Sequence, residues 1–426
     1  MNLALPRMPV LSFGRPTRVV VPRKLAEHTR IDAAAECDPR DVGLDPKAVA
    51  GIWTAVERLY RTGLQPAITL VLRRRGRIVL KRSIGCLRGN GPGERGPLVP
   101  LSPDTPICLF SASKAISALL IHKLAEQGKL RLEDLVVDYI PEFGAHGKHR
   151  VTIRQLLAHR AGVPALPDDV DPSPELLRDW DRCVRMLCEA KPFDVHFERQ
   201  AYHALTAGYI VGELVRRVGQ IDLHDALNGW LARPLGCRHL TYGLPEARRD
   251  DAPHHWMTGP RPLGPLARLA KDILGVEFDV ATAASNTDAF LSSVVPAGNI
   301  YATADDASRV FQMLLDGGEF GGVRVLQPHT VREAIHPVGR IQWDATLHFP
   351  IRFSAGFMLG EEPFGLFGPH CGEAFGHLGF MTVLCWADPR RDISVAMLNT
   401  GKSIAPMGLL RTVGVMNAIA HACKPV

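Results

Sequence analysis

The 426-residue chain lacks an uninterrupted apolar run of the about eighteen residues that a membrane-spanning helix needs. Residues 3–5 are apolar, but Pro6, Arg7, Pro9 and Arg15 break the run, so no signal-peptide core forms. The nine cysteines, at 37, 86, 108, 183, 188, 237, 371, 385 and 423, are odd in number and never spaced C-x-x-C. That pattern supports neither a zinc site nor a disulfide framework, and a reduced, cytoplasmic protein is expected. No large charge excess is present either: the net charge is +6, part of it in Arg7, Arg15, Arg18, Arg23, Lys24 and Arg30. Without aromatic interleaving or a basic helix face, this is not a nucleic-acid footprint. Neither a nucleic-acid nor a membrane partner is expected.

Several catalytic signatures are missing as well. No G-x-S-x-G elbow occurs, which counts against an α/β-hydrolase. The 17 histidines include no H-E-x-x-H and no regular ligand set, so no metal is expected. Gly401-Lys402-Ser403 lacks the earlier glycine of a phosphate-binding loop, and no cofactor is expected. The adjacent pair His254-His255 reads as surface. Asp168, Asp169 and Asp171 stand between prolines without the spacing of a calcium loop, and read as a solvated loop.

What is present is ordinary globular sequence, 46% hydrophobic and 22% charged, long enough for one large domain or interleaved lobes. Residues 1–40 read as an extension, with a short strand at 19–21. An apolar stripe of Val49, Ile52, Trp53, Val56 and Leu59 predicts a helix over 45–59. Residues 67–73 and 77–81 predict a hairpin around Arg74, Arg75 and Gly76, and 85–103 a Gly/Pro-rich loop. Helices are predicted at 153–159 behind Thr152, at 176–190, 204–218 and 224–232, and at 304–315 behind Thr303. Residues 234–287 read as irregular. Strands are predicted at 354–360, 373–386 and 393–399, with Pro389, Arg390 and Arg391 in the last turn, then a helix over 405–422. Strands at both ends with helices between them predict an α/β (α+β type) fold: an antiparallel sheet from N- and C-terminal segments, with an inserted, mostly helical lobe. The expected division is an extension at 1–40, a sheet lobe at 41–110 plus 298–426, and a helical lobe at 111–297.

The chemistry centres on Ser111 and Lys114. An apolar run ends at Phe110, and Ile116, Leu119, Leu120 and Leu124 then recur at helical spacing. Ser111 therefore falls in a first helical turn, with Lys114 on the same face. A serine hydroxyl needs a base, and a lysine whose pKa is lowered by burial can supply it. The same pair also suits a helix-capping serine and a solvated lysine. An acylating serine needs a proton route, an oxyanion hole and a pocket. Tyr202, just before a helix, fits the proton route, since a nearby ammonium lowers a tyrosine's pKa; a packed tyrosine bonded to backbone is the alternative. The strand Phe375-Gly376-His377-Leu378-Gly379-Phe380 fits the oxyanion hole, with backbone N–H groups of Ser111 and Phe380 as donors.

The order of these motifs resembles serine β-lactamase-fold esterases, the family VIII carboxylesterases related to class C β-lactamases and penicillin-binding proteins. The resemblance spans about 45–420. It rests on residues 110–114, 123–130, 152–162, 202–209, 234–236 and 298–306, and on Gly376-His377-Leu378-Gly379. It implies a site between a sheet lobe and a helical lobe, with Ser111 as acylated nucleophile and Lys114 as its proton partner. Tyr202 stands where the family has the tyrosine of Y-x-N, and His377-Leu378-Gly379 stands at K-T-G. Ala204 replaces the asparagine, and His377 the lysine, so an amide grip and a fixed positive charge are lost. His377, Leu378, Gly379, Phe110 and Ala204 are expected at the pocket, although a structural role for His377 is an equal option. The expectation is hydrolysis of small uncharged carboxylic esters of short to medium acyl chain. The alternatives are a β-lactamase or D,D-peptidase-like amidase, an acyltransferase, or a non-catalytic binding module. Whether Lys114 or Tyr202 is the resting base stays open, as does a monomeric or dimeric state.

Overall fold

The computed structural model describes residues 17–167, 170 and 172–426. Residues 1–16 of the expected extension, and Asp168, Asp169 and Asp171, lie outside the described residues.

The first long element is helix α1 (Pro46–Tyr60), started by the Asp45 carboxylate, which accepts from the Lys47 N–H, and by Pro46 at the first helical position. Its stripe of Val49, Ile52, Trp53, Val56 and Leu59 is buried as the spacing predicts. Seven strands run side by side across the main antiparallel sheet: β1 (Thr29–Ile31), β2 (Ala67–Arg74), β3 (Arg77–Arg88), β4 (Met358–Leu359), β5 (Phe375–Gly379), β6 (Val383–Asp388) and β7 (Ile393–Asn399). Their spatial order is β1-β3-β2-β7-β6-β5-β4. The ends of the chain meet at the β2–β7 ladder, which runs from Ile68 opposite Asn399 to Arg74 opposite Ile393. Strand alternation sorts the side chains: Leu70, Leu72, Val395 and Met397 join the core under α1 and α9 (Pro406–Ala422). Val71, Ala396 and Leu398 join the larger core beneath the helices inserted between β3 and β4. Burial of each such Leu or Val is worth about 1.5–3 kcal/mol. Both faces are covered, so β7 is buried at every position.

The inserted segment carries α2 (Ser113–Glu126), α3 (Ile153–Leu157), α4 (Trp180–Glu189), α5 (Thr206–Gly219), α6 (Gly264–Leu274), α7 (Phe278–Ala284) and α8 (Ala304–Leu315). Thr152 and Thr303 each close a capping box, with Gln155 and Asp306 respectively, at the predicted starts.

Several expectations are corrected. Residues 19–21 form no strand; Thr17 makes an isolated bridge to Gly259, and the edge strand lies at 29–31 instead. The region 85–103 is not all loop: β3 runs on to Arg88, and Val99–Pro100 pairs with it. The predicted strand at 373–386 is two strands, because Met381, at φ +74°, turns the chain back. Only Met358–Leu359 of 354–360 is strand in the sheet. The segment 234–287 contains α6 and α7: Gly264 and Pro265 open α6 and Gly275 closes it, so these residues bound a helix there and do not prevent one. His255 is buried, not on the surface. Among the described residues no helix is long and apolar enough to cross a membrane.

Candidate active site

Ser111 sits not in the first turn of α2 but in the 3-10 turn Phe110–Ala112 that leads into it. Phe110 takes φ +48°, costly for a residue with a Cβ, and this sharp entry turns Ser111 out of the core to half-burial. N–H groups of a first turn have no partner within their own helix. Lys114 follows on α2, buried, and is not a solvated lysine. Its Nζ donates to the backbone oxygens of Ala204 (2.7 Å) and Ala297 (3.1 Å), and among the described residues no carboxylate pairs with it. Burial pushes its pKa well below the ordinary lysine value. An uncharged amine has two N–H bonds and one lone pair. The two carbonyls take the N–H bonds, and the lone pair is left to accept a proton.

Tyr202 hydrogen-bonds the Ser111 side chain and is itself buried. The Lys114 Nζ lies 4.8 Å from its ring centroid. The expected lowering of the Tyr202 pKa is reversed: burial raises it, partly offset by the bond to Ser111. The reason is that burial acts on both groups, disfavouring the phenolate as it lowers the pKa of the neighbouring lysine. The Tyr202 backbone is pinned by its N–H donating to Asp344 Oδ1 (3.0 Å). Its ring packs beside His159 (centroids 4.7 Å) and Phe353 (6.3 Å), which also pack against each other (4.6 Å).

His377 lies behind Tyr202, ring centroids 6.1 Å apart, and does not line the open cleft. Leu378 and Gly379 are also absent from the described lining of that cleft. The His377 Nδ1 proton points at the Leu378 oxygen (2.6 Å), and Nε2 is buried without a partner. Burial, with Lys114 nearby, lowers the His377 pKa to about 3, so it cannot replace a lysine's charge at neutral pH. Gly379 has another role. A Cβ there would lie 2.0 Å from the Leu109 oxygen, so only glycine lets the β5–β6 turn reach the Phe110–Ser111 segment. Phe380 comes next, its ring 5.1 Å from that of Phe110.

Phe110, Ser111, Ala204 and Phe380 do line the cleft. The far walls come from residues around Pro164, Pro174 and Leu177 and from Leu274, Ala281 and Phe290. Among the described lining residues Asp272 is the one ionisable side chain, and no cation is present. Sequence reasoning missed His159, His203 and Asp344, which brace Tyr202, and the walls from α6 and α7. No spacing signal links His159 to His203; the contact, His203 N–H to His159 Nδ1 at 3.2 Å, is tertiary.

A serine at a strained turn, a buried lysine of lowered pKa one turn on and a hydrogen-bonded tyrosine, on this sheet with its helical insertion, define a serine hydrolase of the β-lactamase fold. Comparison with known proteins agrees. Residues 56–413 match the Beta-lactamase family, and the chain belongs to it. It is 31% identical over 323 residues to the esterase/beta-lactamase LipL of Mycobacterium tuberculosis (strain ATCC 25618 / H37Rv), covering 72% of each chain. It is similar to the crystal structure of a penicillin-binding protein homologue from Caulobacter crescentus, with 28% identity, 89% and 99% of the two chains covered, and a TM-score of 0.77. A family VIII carboxylesterase structure shares the fold at 24% identity, 88% and 98% coverage, and a TM-score of 0.75.

Proposed function

We propose that the protein hydrolyses uncharged carboxylic esters of short to medium acyl chain through an acyl-enzyme on Ser111. Ser111 Oγ attacks the ester carbonyl while its proton passes to the Lys114 lone pair. The Ser111–Tyr202 hydrogen bond keeps the Tyr202 hydroxyl, protonated at neutral pH, beside the reacting oxygen. The proton then moves, directly or through Tyr202, to the departing alkoxide, which leaves as alcohol. Backbone N–H groups of Ser111 and Phe380 hold the oxyanion, aided by the positive end of the Ser111 turn and α2. A water, giving its proton to the same lysine, attacks the acyl carbon. Ser111 recovers its proton and the acid is released. On this reading Lys114 is the resting base, because burial lowers its pKa and raises that of Tyr202.

The observation that carries the ester reading is the cleft itself. A β-lactam or a peptide terminus presents a carboxylate, and among the described residues this cleft offers it no cation, only Asp272, a few hydroxyls and otherwise apolar walls. Ala204 and the neutral His377 remove two polar grips as well. The name esterase/beta-lactamase of LipL supports ester hydrolysis as one activity of such a site and names the β-lactam alternative beside it. The test is side-by-side turnover of a p-nitrophenyl acyl ester and nitrocefin by the wild type and Ser111→Ala. Ester turnover that Ser111→Ala abolishes is expected; equal ester turnover by a folded Ser111→Ala would refute it.

A further inference from the structure

Lys402, like Lys148, is a lysine taken wholly out of solvent, and the acylation chemistry does not use it. Its strand, Gly401–Lys402, pairs in parallel with Trp256–Met257 and carries the side chain under the nucleophile turn. Its Nζ makes one hydrogen bond, to the Asn399 oxygen at 3.0 Å, and among the described residues no carboxylate pairs with it. The rest of its surroundings is aromatic. The Nζ lies 4.5 Å from the Phe110 ring centroid and 5.9 Å from that of Phe380, within the reach of about 6 Å at which a ring face attracts a cation. His255 packs edge-on against Phe110, with centroids 4.7 Å apart and neither ring nitrogen partnered.

The titratable groups facing Lys402 are Cys108 and His255. Burial raises the first to about 12 and pushes the second well below its ordinary value, so both are uncharged at neutral pH. Burial also pulls Lys402 itself down to about 7. Burying an ammonium without an acid partner is costly, and replacing it with an apolar side chain would be the cheaper way to fill a core.

The placement gives this cost a purpose. Phe110 precedes the nucleophile, at a strained φ of +48°. Phe380 begins the tight turn after β5. Asn399 ties that turn to the lysine: its Nδ2 donates to the Thr382 oxygen (2.7 Å), its Oδ1 accepts from the Thr382 hydroxyl (3.2 Å), and its own carbonyl holds Lys402. We propose that Lys402 is a positioning residue for acylation: its ammonium, clasped by the ring faces of Phe110 and Phe380, fixes the two turns that present the Ser111 and Phe380 backbone N–H groups to the oxyanion. The inference rests on the esterase reading for its oxyanion, but the clasp can be tested apart from it.

The experiment compares wild type with Lys402→Met, Phe380→Leu and the double variant. Each is measured for p-nitrophenyl ester kinetics, for inhibition by an alkyl boronic acid, and for thermal unfolding. A boronic acid adds to the serine and places an oxygen in the oxyanion hole, so it reports that hole without needing turnover. The expected result for Lys402→Met is a kcat lowered about tenfold to a hundredfold, as for misplacement of a reacting group. KM should stay within about threefold, with boronate affinity falling by the same factor as kcat/KM. Phe380→Leu, which keeps the backbone N–H but removes one ring, gives the same split, and the two changes are non-additive in the double variant. A folded Lys402→Met with wild-type kcat and boronate affinity, whether or not its melting temperature falls, overturns the proposal. Independent multiplication of the two effects does so too. If Lys402→Met does not fold, unchanged kcat and boronate affinity in Phe380→Leu overturn it alone. A wild type that turns over no ester sinks the esterase reading instead, and the boronate series still decides the clasp.

Discussion

A lysine held out of water with no acid partner among the described residues, as Lys114 is, lowers stability, and on the proposed reading that is the cost of its being a base. Its pKa is depressed in the folded state, so below the unfolded lysine value the unfolded chain binds the extra proton. Stability therefore rises with pH from the folded pKa toward the ordinary lysine value of 10.5, and falls as pH drops through that window. Lys114→Met, similar in length and without a charge to desolvate, is expected to melt higher than wild type at pH 7 and to hydrolyse no ester above background. Calorimetry and ester assay on one preparation check both. Lys114→Arg, charged at every accessible pH, should be equally inactive yet less stable. The pH profile of kcat/KM should show an acid limb that rises as Lys114 loses its proton. Tyr202→Phe removes the hydroxyl bonded to Ser111 and should lower kcat by about 10² to 10⁴, the usual range for a lost proton-transfer group. Ser111 and Lys114 were legible because their spacing is local. His159 and Asp344 were not, since they reach Tyr202 only through folding across 43 and 142 residues, and His203, the chain neighbour of Tyr202, is tied to His159 only by the same folding.

At the scale of elements, amphipathic helices were the most legible parts and turns the least. The stripe on α1 and the Thr303 capping box each announce a helix within a few residues, and both stand where they were read. Thr303→Ala should cost about 1 kcal/mol in chemical denaturation, since it unpairs the Asp306 N–H. The β5–β6 turn was hidden inside a continuous β-like run. Its reversal depends on Met381 at φ +74°, a state that side-chain pattern does not encode. Gly379 at its base has no room to change: Gly379→Ala, with its Cβ 2.0 Å from the Leu109 oxygen, should separate the two halves of the oxyanion site. Loss of at least a hundredfold in kcat/KM, with the protein still folded by circular dichroism, is the expected outcome, by analogy with about 10²–10³ for one lost donor. α6 and α7 were missed because the proline, glycine and histidine scattered through 234–287 read as breaking the whole segment, whereas Gly264, Pro265 and Gly275 only bound α6.

For the whole molecule, the cleft between sheet and helices sets which substrates enter. Filling it with Ala281→Trp should lower kcat/KM for octanoyl esters far more than for acetyl esters, and a chain-length series of p-nitrophenyl esters measures the difference. The sequence by itself singled out Ser111, Lys114 and Tyr202 as the proposed catalytic set and determined the antiparallel sheet shared by the two chain ends, because each is written in short-range spacing or apolar alternation. Only the tertiary structure decided the direction in which the pair is shifted, since burial, which spacing does not report, lowers the Lys114 pKa and raises that of Tyr202. It also moved His377 behind Tyr202, left the described cleft lining without a cation and put Lys402 beneath Phe110. Those outcomes depend on which distant segments share a core, and desolvation acts on groups according to that neighbourhood, not their order in the chain.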